Sequence, residues 1–134
     1  MKKTLIALCL AIALAVLLTA CGGQQGFSSN EVKQYNETST SIQAAVGQQF
    51  EISLASNPTT GYTWEKSEAY DKAYVELLSS KYIGPKEAIP GAGGTHQFLF
   101  KALKAGSTTI KLTYKRSWES TASDKTITYN VTIK

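Results

Sequence analysis

Through most of the chain apolar and polar residues alternate with a period of two, the signature of half-buried strands. Phe50, Ile52 and Leu54 share one face of a first clear run, and Tyr62 and Trp64 share a face of the next, where Trp64 reads as core. Thr95 to Ala102 brings Phe98 and Phe100 together, Thr108 to Tyr114 aligns Ile110, Leu112 and Tyr114, and Thr126 to Lys134 aligns Ile127, Tyr129, Val131 and Ile133. A shorter strand is expected around Thr40 to Ala44. Residues 73–82 suit strand or short helix, since Ala73, Glu76, Leu77 and Leu78 tolerate both; the strand-rich surroundings favour strand. No stretch repeats its apolar residues at the helical period. The pattern predicts an all-β fold, an immunoglobulin-like antiparallel β-sandwich of about seven or eight strands, with its loops gathered at two ends.

The N-terminus departs from this pattern. Lys2 and Lys3 precede an unbroken apolar run from Leu5 to Leu18, which ends in Leu18-Thr19-Ala20-Cys21. The run falls short of the ~17–25 residues that span a bilayer, so it reads as an export signal rather than a membrane helix. Its ending resembles the bacterial lipobox, which implies cleavage before Cys21 and diacylglycerol on that thiol; the alternative is an ordinary secretory signal with an incidental cysteine. The expected organisation is a lipoprotein signal peptide over residues 1–20, a lipidated Cys21 with a Gly-, Gln- and Ser-rich spacer to residue 38, and one domain over residues 39–134. The expected location is the bacterial cell envelope, anchored in a membrane through lipid on Cys21. Gly22 follows the cysteine where an inner-membrane protein commonly has Asp, which favours the outer membrane.

Cysteine and charge then exclude several functions. The sequence holds Cys9 and Cys21 only, so a domain that begins after them has neither disulfide nor thiol nucleophile. The formal charge of +4 falls to +2 once Lys2 and Lys3 are removed, too mild a balance to imply nucleic acid. His96 is the single histidine, sits on a strand without a cysteine partner, and reads as structural. No nucleophile, base and orienter assemble into an enzyme, and no metal or other cofactor is expected.

Three loops remain that a sandwich does not require. Asn57-Pro58-Thr59-Thr60-Gly61-Tyr62-Thr63-Trp64 is a stiff turn running straight into a strand: Pro58 fixes its own φ and drives Asn57 into extended geometry, β-branched Thr59 and Thr60 are stiff at χ1, and Gly61 supplies a sharp exit. Pro90-Gly91-Ala92-Gly93-Gly94 fits no regular element, and no P-loop lysine follows it. Arg116-Ser117-Trp118 puts a large aromatic in a polar loop. Each one alone is an ordinary connection. Together and in this order, with Gly94-Thr95-His96-Gln97-Phe98 and Phe100-Lys101-Ala102-Leu103 framing them, they resemble the chagasin family of cysteine-protease inhibitors from about Thr40 to the C-terminus.

The resemblance implies a reversible, monomeric inhibitor that inserts loops 57–62, 90–95 and 115–119 as a wedge into the active-site cleft of a papain-like cysteine protease. It assigns protease contact to Asn57, Pro58, Thr59, Thr60, Gly61 and Tyr62, to Gly91, Gly93 and Gly94, and to Arg116 and Trp118, with Thr59 and Thr60 nearest the catalytic pair. Many members carry Pro between that Arg and Trp; here Ser117 should loosen the loop by ~0.4–1 kcal/mol if the native φ suits proline. The chemistry agrees, because such a protease keeps a thiolate at the bottom of a groove that polypeptides enter extended. An inhibitor must fill that groove cheaply while denying the thiolate a carbonyl. The competing reading is an immunoglobulin-like envelope module that binds another protein or a glycan with the same end of the sandwich.

Overall fold

The computed structural model describes residues 31–65, 70–87 and 89–134. The export signal, Cys21 and most of the spacer lie outside the described residues. Within them the alternating runs form eight strands, β1 Lys33–Tyr35, β2 Ser41–Ala44, β3 Gln49–Ser56, β4 Tyr62–Glu65, β5 Val75–Ile83, β6 Gly94–Ala102, β7 Gly106–Arg116 and β8 Lys125–Ile133. They build two four-stranded sheets, one in the order β1-β3-β6-β5 and the other β2-β8-β7-β4. The inner faces carry the residues that the alternation selects. Phe50, Ile52, Leu54, Phe98 and Phe100 come from one sheet, and Ile110, Leu112, Tyr129 and Val131 from the other, all essentially without solvent contact. Phe50 and Phe100, directly paired across β3 and β6, stack with ring centroids 5.7 Å apart. Each such side chain contributes about 1.5–3 kcal/mol by leaving water.

The sheets are not wholly antiparallel as the sequence suggests. β1 runs parallel to β3, and β2 parallel to β8. The cause is a change of sheet. After three residues β1 turns at Asn36, whose Oδ1 accepts hydrogen bonds from the Thr38 and Ser39 amides, and β2 then joins the opposite sheet. β1 lies inside the segment read as spacer, too short to display an alternation of its own. Residues 75–83 are strand, as the surroundings favoured. A register shift between Leu77 and Ser79 leaves Leu78 outward and 42% exposed, which is why the sequence pattern there was ambiguous.

Register fixes which loops share an end. Ser56 pairs with Gly94, Ile83 with Thr95, and Tyr62 with Arg116, so loops 57–61, 84–93 and 117–124 leave the sandwich at the same pole. The chain enters and ends at the other pole. Lys33 pairs with Phe50 near the start of β3, Ile133 pairs with Gly106, and Lys33 and Lys134 line one cleft of about 360 Å³.

Candidate functional site

The central loop begins where β3 ends. Pro58–Thr60 forms one 3-10 turn between Asn57, at φ −133° and ψ 84°, and Gly61, in the left-handed region at φ 82°. Pro58 suits the first position of this turn, having no N–H to leave unsatisfied, and Gly61 closes it by donating its amide to the Pro58 carbonyl at 2.9 Å. Thr59 and Thr60 are exposed at the tip, and both hydroxyls turn back onto Asn57. Thr59 Oγ1 donates to Asn57 Oδ1 at 2.6 Å, and Thr60 Oγ1 donates to the Asn57 carbonyl at 2.7 Å.

Asn57 is the hub of the site. Its carbonyl also accepts the Thr60 amide at 3.1 Å, its Nδ2 donates to the Gly91 carbonyl at 2.9 Å, and its own amide donates to Tyr114 Oη at 2.9 Å. Its side chain is therefore committed inside the protein, tying the first loop to the second. Arg116 ties the first loop to the third. Its Nε donates to the Thr60 carbonyl at 3.3 Å, Nη1 lies 3.6 Å from Glu119 Oε1, and the guanidinium sits 4.8 Å from the centre of the Tyr62 ring. Glu119 thus supplies an acidic partner for Arg116 from within the third loop.

Trp118 is the most exposed large apolar side chain among the described residues, at 70%. Its indole edge rests on Gly61, where a Cβ would stand 2.6 Å from Cη2. The first loop therefore needs glycine twice over, for its φ and for the seat it offers Trp118.

The glycines of the second loop divide by role. Gly91 has φ 78° and open space around it. A Cβ on Gly93 would stand 3.1 Å from the Ser56 carbonyl, and one on Gly94 only 2.1 Å from the Ile83 carbonyl. The sequence assigns all three to the protease; within the fold itself Gly94 is also demanded by close backbone approach, and Gly93 is held at a tight one.

Beneath the loops lies a row of rings. Tyr114 packs against Tyr62 at 5.4 Å and against Trp64 at 5.0 Å between centroids. Trp64 is buried, and its Nε1 donates to the Ala55 carbonyl at 2.8 Å; Tyr62 supports from the side, with its hydroxyl 3.2 Å from Thr121 Oγ1. Beside them a cleft of about 480 Å³ is lined by Ser56, Asn57, Trp64, Tyr114, Glu37 and Lys125, the last two joined as an ion pair. Farther inside, burial pushes the Tyr129 phenol up to about 12, with the negative charge of Glu37 adding to the effect. His96 lies under the second loop with Nε2 2.8 Å from Ser80 Oγ and its ring stacked on Phe98 at 4.4 Å. Tyr114, Glu119 and Thr121 escaped the sequence reading. Tyr114 alternates with Ile110 and Leu112 and so reads as core, its hydroxyl being the one overlooked signal.

Residues 43–133 match the model of the family described as chagasin family peptidase inhibitor I42. Chagasin of Trypanosoma cruzi is 34% identical over 100 residues, covering 72% of this chain and 89% of that protein. Amoebiasin-1 of Entamoeba histolytica is 33% identical over 103 residues, covering 74% of this chain and 95% of its own. Among solved structures, a cysteine protease inhibitor from Entamoeba histolytica superposes with a TM-score of 0.68 at 27% identity, covering 77% of this chain and 96% of that one.

Proposed function

The chain belongs to the chagasin family of peptidase inhibitors, and from that premise we propose how it blocks a papain-like cysteine protease: the three loops at one pole enter the active-site cleft together, with the Asn57–Gly61 turn foremost. One observation carries this reading. Substrates lie extended in such a cleft, with carbonyls open to the thiolate, whereas this turn is coiled and three of its carbonyls are engaged within the protein. Asn57, Pro58 and Thr60 each have the carbonyl oxygen in a hydrogen bond, from Thr60, Gly61 and Arg116 respectively. The loop fills the cleft and offers it no extended peptide bond.

Each flanking loop then has a part. The second loop is tied to the first by the Gly91 carbonyl, which accepts Asn57 Nδ2, and Trp118 supplies a large side chain of low conformational entropy of the kind that anchors interfaces. Pro58, Thr59, Thr60 and Tyr62 form the face and shoulder of the wedge. Asn57, Gly93, Gly94 and Arg116 act by holding it in shape. Ser117 leaves the third loop less constrained than proline would.

The protein from Cys21 onward, mixed with papain, should abolish hydrolysis of a peptide substrate reversibly; full papain activity at micromolar inhibitor refutes the proposal. The placement of the inhibitor in a bacterial envelope belongs to the same proposal, resting on the Lys2-Lys3 start, the apolar run and the Leu-Thr-Ala-Cys21 ending. The intact mass of the cell-derived protein should show a chain that starts at Cys21 and carries diacylglycerol there, and a chain without that added mass would refute a lipid anchor on that residue.

A further inference from the structure

We infer that Tyr114 is a positioning residue for the inhibitory turn, and that its hydroxyl fixes where the turn starts, so that the bonds coiling it hold inside the protease cleft. The inference rests on the wedge reading above. It begins with an odd regularity on one strand. Tyr114 and Arg116 are two residues apart on β7, hence on the same face, and Trp118 continues the spacing just beyond the strand. Each touches the central loop in turn: Tyr114 Oη takes the Asn57 amide at 2.9 Å, Arg116 Nε takes the Thr60 carbonyl at 3.3 Å, and Trp118 lies against Gly61. The end of β7 and the turn that follows it grip the beginning, the end and the exit of the central turn.

The first grip is the stiffest. Arg116 and Trp118 reach out on flexible or exposed side chains, but the Tyr114 ring packs against both Tyr62 and Trp64, and Trp64 is itself pinned to the Ala55 carbonyl. The hydroxyl thus stands at a fixed point where β3 leaves the opposite sheet. The Asn57 amide that it receives is also the last backbone donor before Pro58, which has none. Remove that acceptor, and Asn57 keeps its side-chain bonds and the bonds from Thr60 to its carbonyl, but its amide loses the anchor that sets the direction of exit from β3. The turn can then straighten toward the extended form that the thiolate attacks, and the inhibitor begins to behave as a substrate.

Tyr114→Phe isolates the hydroxyl while keeping the ring and its packing. The expected result against papain is an inhibition constant raised ~10-fold, the scale of one lost hydrogen bond, with the loss in koff and kon nearly unchanged. Intact mass should reveal slow hydrolysis of a peptide bond within 57–61 in the variant, with one water added across the cut, while the wild-type chain survives the same incubation. A variant that merely loosened the sandwich would lower Tm and be nicked at many sites instead. The inference is overturned if wild type inhibits and Tyr114→Phe matches it within twofold in koff and stays uncut. If wild type leaves papain fully active, the wedge reading itself has failed, and exchange of the Asn57 amide proton decides the positioning: faster exchange in Tyr114→Phe upholds the hydroxyl's hold on the turn, and equal exchange refutes it.

Discussion

Replacing Gly61 with alanine sets two costs against each other that can be separated. The backbone at φ 82° is left-handed, where an alanine costs roughly 1–2 kcal/mol, offset in part by the unfolded-state freedom that glycine gives up. The new Cβ would also stand 2.6 Å from Trp118 Cη2 and 3.0 Å from Cζ2, which is impossible unless one group moves. The indole is the free end of an exposed side chain, so it should swing away while the backbone stays. Gly91→Ala is the control, because Gly91 has nearly the same φ, 78°, and nothing within 4 Å of the added methyl. Both variants should lose about 1 kcal/mol of stability, roughly 4–8 °C in Tm for a domain of this size, by thermal unfolding followed by circular dichroism. Their inhibition of papain should differ sharply. Gly61→Ala unseats Trp118 and should lose about 2 kcal/mol of binding, ~30-fold, in steady-state inhibition, while Gly91→Ala changes it only a few fold. On a Trp118→Ala background, which should itself cost about 30-fold with Tm unchanged, Gly61→Ala should add little. Equal losses of inhibition for Gly61→Ala and Gly91→Ala, or full additivity with Trp118→Ala, would refute the idea that Gly61 serves as the seat of the indole.

Three further outcomes follow from the geometry. Gly94→Ala drives a methyl to within 2.1 Å of the Ile83 carbonyl, part of the β5 backbone that cannot rotate away, so it should cost about 3 kcal/mol and lower Tm by roughly 10–20 °C; a shift of only a degree or two would contradict it. Arg116→Lys keeps the charge but loses the planar group that reaches the Thr60 carbonyl and covers Tyr62, and should weaken inhibition by about 5–10-fold without lowering Tm, an effect absent if charge alone matters. The Tyr129 phenol, raised to about 12 by burial and by Glu37, stays protonated in the folded state after the unfolded chain has begun to ionise. Its contribution is complete below pH 10 and should fade as pH rises from about 10 to 12, by up to ~3 kcal/mol in denaturant titrations, and Tyr129→Phe should flatten that decline.

Strand existence and facing were legible in the sequence because burial on one face leaves a period of two, as Phe50-Ile52-Leu54 and Ile127-Tyr129-Val131-Ile133 display. Strand direction was not, since parallel and antiparallel strands alternate alike; β1 and β2 therefore hid their orientation, and β1 at three residues hid altogether. The three loops were legible from Pro and Gly, which mark backbone demands. What the glycines were for was not legible. An absent Cβ looks the same in sequence whether a partner or a neighbouring strand occupies the space, and for Gly94 it is the neighbouring strand. Arg116 and Asn57 read as surface groups offered to a partner because the acceptors that tie them to the other loops, the Thr60 and Gly91 carbonyls, are backbone atoms far off in the chain; Glu119, three residues from Arg116, was the one partner within local reach.

That Lys33 and Lys134 border one small cleft at the pole opposite the loops has a practical meaning. A leash attached before residue 33 and a tag appended after residue 134 would leave side by side from the back of the molecule. The domain can thus be grafted onto a bead, a cell surface or a second domain through either end, or carried between two, and still present its working edge outward, unobstructed by whatever holds it.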